Sequence, residues 1–242
     1  MKKKIFVVAL VVCILAISIA SATIAYFTDT ASATNTFTSG NVAIKLTETR
    51  TVDGVSTTKV VGKDGFTGYD YGTVHPGLTY DKYPAITNTG SENAYLAAKI
   101  VIKNVAASNV DANVTKVLTA EAATGKTLVS DFLSGNVFAD ANYSVKYNTT
   151  ADSIEIYVIY ETVTTTNDSI TLFEEVVVPA RWGNDQMAHL ENMNIVITAY
   201  AVQTTGFEAD TANGLTAAEV AIKAAFGGGT DATNSDFGAY FN

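Results

Sequence analysis

Along most of this chain hydrophobic and polar residues alternate with a period of two. Asn41–Arg50 sets Val42, Ile44 and Leu46 against polar neighbours, the pattern of a strand with one buried face. Asp53-Gly54 is a tight-turn pair and predicts a hairpin with Ser56–Val61 as the returning strand. Asp64–Tyr71 reads as loop, and His75-Pro76-Gly77 as a turn. Tyr83–Asn88 and Tyr95–Val105 read as strands on either side of the turn Asn88-Thr89-Gly90-Ser91. Tyr143–Asn148, Ser153–Thr164 and Glu174–Val178 are further strands, and in the second Ile154, Ile156, Val158 and Tyr160 face one way. Met193–Thr204 is apolar on both faces, which predicts a central strand of a sandwich. Asn109–Thr124 is mixed and compatible with a helix. Thr216-Ala217-Ala218-Glu219 has capping-box spacing and predicts a helix over Ala217–Phe226 ended by Gly227-Gly228-Gly229. Residues 230–242 read as a tail.

About eight or nine short strands, not interleaved with helices, point to a mainly β fold. The expected architecture is an antiparallel β-sandwich of jelly-roll type with a few short helices. Composition strengthens this. The chain has 34 Thr, 26 Val and 16 Ile, and branched side chains pack well on a pleated, half-buried surface.

The N-terminus follows a different pattern. Met1-Lys2-Lys3-Lys4 is basic, Ile5–Ile19 is apolar apart from Ser18, and Ala20-Ser21-Ala22-Thr23-Ile24-Ala25 is mostly small. That order is a secretory signal peptide. Small residues allow cleavage after Ala22 or after Ala25. Ile5–Ile24 also has the length to span a bilayer as a retained anchor. Tyr26–Gly40 is polar, Pro-free and Thr/Ser/Ala-rich. It is compatible with an extended strand but lacks the large apolar residues to form a core alone.

Charge and chemistry exclude several functions. A net charge of −9 argues against nucleic acid, whose phosphates need clustered Lys and Arg. One cysteine and two histidines give no internal disulfide and no zinc-site spacing. His75 sits in a turn and His189 in the polar stretch Asn184–Asn192, and both read as surface residues. Glu174 and Glu175 are adjacent on a strand and so face opposite ways. No nucleophile elbow, Walker loop or dinucleotide fingerprint is present. The reading is of a protein that is not an enzyme and takes no metal or cofactor.

The order of motifs is more informative than any one of them. After the signal come Ala25-Tyr26-Phe27-Thr28-Asp29 and Asn35-Thr36-Phe37-Thr38-Ser39-Gly40-Asn41-Val42. His75-Pro76-Gly77, Pro84–Gly90 and Ala94-Tyr95 follow, then Leu172–Val176, Pro179–Trp182 and Ile197–Gln203. This series resembles the TasA/camelysin family of secreted biofilm-matrix fibre proteins, over residues 1 to about 207. The segment 104–150 and the chain after 207 carry no such signal. The resemblance implies cleavage between Ala25 and Tyr26 by a SipW-type signal peptidase. It implies a homopolymer outside the cell, in the matrix or at the cell surface, with an accessory or anchoring matrix protein as a further partner. Each subunit would donate its N-terminal strand to the next. The donor residues would be Tyr26, Phe27, Ala31, Ala33, Asn35 and Phe37, with Phe27 and Phe37 as aromatic anchors. The organisation expected is 1–25 signal peptide, 26–40 donor segment, 41–207 jelly-roll domain and 208–242 helix and tail. A camelysin-like metalloprotease finds no zinc constellation here. A monomeric module binding carbohydrate or a host surface is the other reading, with Tyr69, Tyr71 and Tyr80 as candidate stacking residues.

Overall fold

A computed structural model of the chain describes residues 41–104, 118, 129–135, 140–149, 153–188, 190, 193–228 and 235–241. The protein is mainly β, with every described strand pairing antiparallel. The signal segment, the donor residues, His189 and most of Asn109–Thr124 lie outside the described residues; of the last, Leu118 is helical and buried.

The first hairpin joins β1 (Ile44–Val52) to β2 (Val55–Val60). Asp53 and Gly54 both have positive φ, 51° and 77°. That backbone twist matches the flanking strands and sets the pairing Val52 with Val55. β1 then pairs with β4 (Tyr83–Asn88), which pairs with β9 (Ser169–Thr171), giving the order β2-β1-β4-β9. A smaller sheet places β10 (Glu175–Val177) between β3 (Thr79–Asp81) and β6 (Leu133–Ser134). Lys82 N–H donates to Glu174 O at 3.0 Å, and Leu172 N–H to Pro84 O at 2.9 Å. These bonds make β3–β4 and β9–β10 one bent ribbon, so the two sheets form a continuous layer.

The facing sheet has the order β11-β5-β8-β7, from β11 (Met193–Gln203), β5 (Ala94–Asn104), β8 (Ser153–Tyr160) and β7 (Tyr143–Thr149). The main core lies between the layers. Leu96, Ala98, Ile100 and Ile102 of β5 and Ile154, Ile156 and Val158 of β8 meet Ile86, Leu133, Ile170 and Phe173. Each such Ile or Leu, fully removed from water, contributes about 1.5–3 kcal/mol. Tyr160 packs on the same cluster, so β8 faces inward as its alternation predicts.

A third layer covers the outer side of this sheet. Short helices α1 (Val129–Phe132) and α2 (Asn184–Ala188) are local. The longer α3 (Ala217–Phe226) and the short α4 (Gly238–Phe241) build a second core. Ala218, Ala221, Ile222, Phe237 and Tyr240 pack there on Tyr95, Ala97, Tyr157, Ile159 and Tyr200. Thr216 caps α3 with the reciprocal Glu219 bonds that its spacing predicts.

Two expectations are corrected. Residues 235–241 are not a tail, because Phe237 is 0% exposed and Tyr240 2%. Their aromatic rings fill the outer surface of the sheet that α3 leaves uncovered. Met193–Gln203 is an edge strand, not a central one, since it pairs with β5 alone among the described residues. Both of its faces read as apolar because Ile195 and Ile197 pack on the main core while Tyr200 and Val202 pack under α3.

Candidate functional site

Sheet edges decide what this surface can do, because an edge presents unpaired N–H and C=O groups to any extended chain. The edges β3, β6 and β9 are three residues or shorter. β2 carries Lys59 and β7 carries Lys146, charges that discourage pairing. β11 is the exception. It is 11 residues long, MNIVITAYAVQ, with no charge and no proline. Asn194, Val196 and Thr198 are exposed while Met193, Ile195, Ile197 and Ala199 turn toward the main core.

A cleft of about 680 Å³ opens beside the first half of this strand. Residues 193–197 form one wall, and Leu46–Glu48, the loop residues 67–72 and Tyr80 form the others. β1 faces β11 across the sandwich, and β2 extends the upper sheet past it. The cleft is thus bounded by the first half of β1, the loop that follows β2 and the start of β11.

At its charged end the cleft is fixed by a buried cluster. The inner face of β1 runs Ile44, Leu46, Glu48 and so changes from apolar to ionic along its length. Lys82 stands at the bend between β3 and β4, and its Nζ lies 2.6 Å from Glu48 Oε1, with both side chains under 10% exposed. Burial holds the Lys82 ammonium below its ordinary pKa, outweighing the raising effect of the Glu48 carboxylate. The Tyr71 hydroxyl donates to Glu48 Oε1 at 3.2 Å and to Asp81 O at 3.0 Å. Burial, and after it Glu48, push that hydroxyl well above the usual tyrosine value. Arg50 lies 4.8 Å from the centre of the Tyr71 ring and donates to Asp70 O at 2.9 Å.

The three tyrosines singled out for sugar stacking all line this cleft. Their polar ends are engaged. Tyr69 donates to Thr57 O at 2.9 Å, and the Tyr80 hydroxyl accepts the His75 N–H at 2.8 Å. Tyr71 and Tyr80 pack edge to face with centroids 6.3 Å apart. These rings shape the wall more than they offer a flat stacking platform. His75 is exposed in its turn. Among the described residues no group of three His, Cys, Asp or Glu is placed to hold a metal ion.

The turn at the opposite pole is equally defined. Asn88 is fully buried, and its Nδ2 donates to Glu92 O at 3.0 Å and Thr164 O at 3.2 Å. Gly90 is held against the incoming chain, where a Cβ would stand 2.2 Å from Asn41 O. Only glycine allows that approach. Asn41 N–H donates to Ser91 Oγ at 3.2 Å, so the chain before residue 41 joins the sandwich at this pole. The sequence contained the signal for the β11 edge, an uncharged strand, but position in a sheet is set by long-range pairing and was not readable from alternation. No family model, curated protein or solved structure matches the chain.

Proposed function

We propose that the chain is the structural subunit of an extracellular matrix fibre, secreted and processed after Ala25 by a SipW-type signal peptidase. Subunits polymerise head to tail, each donating Tyr26–Gly40 as a strand to the next. The acceptor is the edge of β11 that no described strand pairs with, together with the adjoining cleft. One observation carries this reading: an 11-residue uncharged edge strand beside an open cleft, where the other long edges among the described residues carry lysine. Such an edge is an aggregation hazard in a monomer and an adhesive one in a polymer. Main-chain hydrogen bonds supply the affinity, and alternate side chains entering the cleft supply register. A contact between two different surfaces that does not close on itself generates a filament. Processing acts as the trigger, because a tethered N-terminus cannot enter a neighbour. An accessory protein would anchor the filament to the cell.

The test is electron microscopy of the mature chain beginning at Tyr26, beside a variant lacking residues 26–38. The mature chain is expected to form filaments and the variant to stay a folded monomer. Filaments from the truncated variant would exclude strand donation, and a mature chain that stays monomeric at high concentration would exclude the fibre.

A further inference from the structure

We infer that the donated strand lies antiparallel to β11, in the register that sets Phe37 opposite Ile195, Ala33 opposite Ala199 and Ala31 opposite Ala201. This rests on the fibre reading and goes beyond it to polarity and pairing. Three independent features of the molecule lead there.

The first is where the chain leaves the sandwich. Asn41 is bonded to Ser91 at the turn pole. β11 ends at that same pole, where Gln203 pairs with Ala94 and Thr204 N–H donates to Asn93 O at 3.2 Å. The cleft lies at the other end, beside residues 193–197. A donor running parallel to β11 would bring its residue 40 to the acceptor's own exit pole. Two exit poles would then meet, each able to donate to the other, and the contact would close as a two-fold dimer. A donor running antiparallel ends at the cleft pole. The exit pole of one subunit then meets the cleft pole of the next, and the chain of subunits stays open.

The second is shape. The inward residues of β11 are large at the cleft end, Met193, Ile195 and Ile197, and small at the other, Ala199 and Ala201. The open volume is beside the large residues. Donor residues of one parity run Phe27, Asp29, Ala31, Ala33, Asn35, Phe37. The antiparallel register puts the Phe37 ring in the cleft and the small Ala33 and Ala31 beside Ala199 and Ala201. Asn35 then falls opposite Ile197, within the cleft that Thr47 and Glu48 line with polar groups. The parallel alternative fills the cleft with Phe27 but sets the Asp29 carboxylate opposite Ile197, an unpaired charge on an inward position.

The third is that all eight strand pairings in the described residues are antiparallel. An antiparallel donor continues the pairing of this sheet, and antiparallel pairing is slightly the more stable per residue.

Cysteine pairs test the register directly, because Cys13 is the chain's sole cysteine and leaves with the signal peptide. Mature chains carrying Ala33→Cys are mixed with chains carrying Ala199→Cys, assembled under reduction, and then oxidised. Ala31→Cys with Ala201→Cys is the second matched pair. Ala31→Cys with Ala199→Cys and Ala33→Cys with Ala201→Cys are the mismatched pairs. Directly opposed Cβ atoms lie within disulfide reach, while a two-residue offset puts them about 7–8 Å apart and beyond it. The expected result is filaments in all four mixtures, with disulfide-linked dimers on a non-reducing gel from the matched pairs only. Filaments whose mismatched pairs cross-link, or in which no pair does, would overturn the register while leaving the fibre standing. Failure of the cysteine-free mature chain to form filaments would remove the fibre reading and this inference with it. If a substituted chain fails to assemble alone, seeding it into filaments of the unsubstituted chain gives the same readout.

Discussion

Lys82 and Glu48 form a buried ion pair at one end of the cleft. Two charges removed from water cost several kcal/mol each, and their attraction offsets this only while both are present. Lys82→Met alone leaves the Glu48 carboxylate buried without its partner. It should lower stability by about 3–5 kcal/mol. Adding Glu48→Leu should restore most of the loss, because a matched apolar pair has no desolvation cost. Urea denaturation of the mature monomer checks this, and equal stability of the single and double variants would contradict it. The sequence could not show this pair: Glu48 continues an alternating strand, and Lys82 looks like a solvated turn residue before β4. By contrast Asn88 and Gly90 were legible as a turn, since turn chemistry is local. What the sequence hid is that the Asn88 side chain ties that turn to Thr164, far along the chain.

At the scale of elements, tyrosine hydroxyls that donate to carboxylates brace the outer core: one within the helical layer, one between β11 and the segment just before α4, and one along β8 beneath them. Tyr240 donates to Glu219, Tyr200 to Asp236 at 2.8 Å, and Tyr157 to Glu155 at 2.6 Å. Burial first, and then these carboxylates, raise all three hydroxyls above their ordinary value. Tyr143, raised mainly by burial, is pushed up to about 12. A folded-state pKa above the unfolded one of 10.0 gives stability that is complete below that pH and is lost as pH rises toward the folded values. Stability should therefore fall steeply above pH 10, with α3 and α4 releasing as phenolates form against carboxylates. A titration of tyrosine absorbance beside circular dichroism checks this. A single phenolate step near pH 10 with the fold intact would count against it. The helix α3 was legible from its capping box and following glycines. The packing of residues 235–241 was not, because Phe237 and Tyr240 are too few to give a periodic pattern. Strand identities survived from sequence to structure because alternation reports a buried face. The place of β11 did not, because alternation says nothing of which neighbours a strand has.

For the whole molecule, the proposed processing after Ala25 would remove Lys2, Lys3 and Lys4 and leave 12 basic against 24 acidic residues, a net charge of −12. Subunits of one sign repel until salt screens them, and the screening length falls to about 8 Å at physiological ionic strength. Assembly followed by light scattering should accelerate between low salt and about 0.15 M. A rate independent of salt would mean that contact surfaces are locally neutral. A chain processed after Ala25 would carry no cysteine, so in the proposed fibre cohesion would have to come from the β core and from neighbouring subunits.

Polymerisation through β11 would bury the edge that no described strand pairs with, and hydrogen exchange measured peptide by peptide reads that burial. In the mature monomer the outward amides of residues 193–203 should exchange fast, while those bonded to β5 are slow. In filaments the fast set should become protected, with no matching gain in β2 or β7. Filaments that form while exchange in 193–203 stays unchanged would contradict the account.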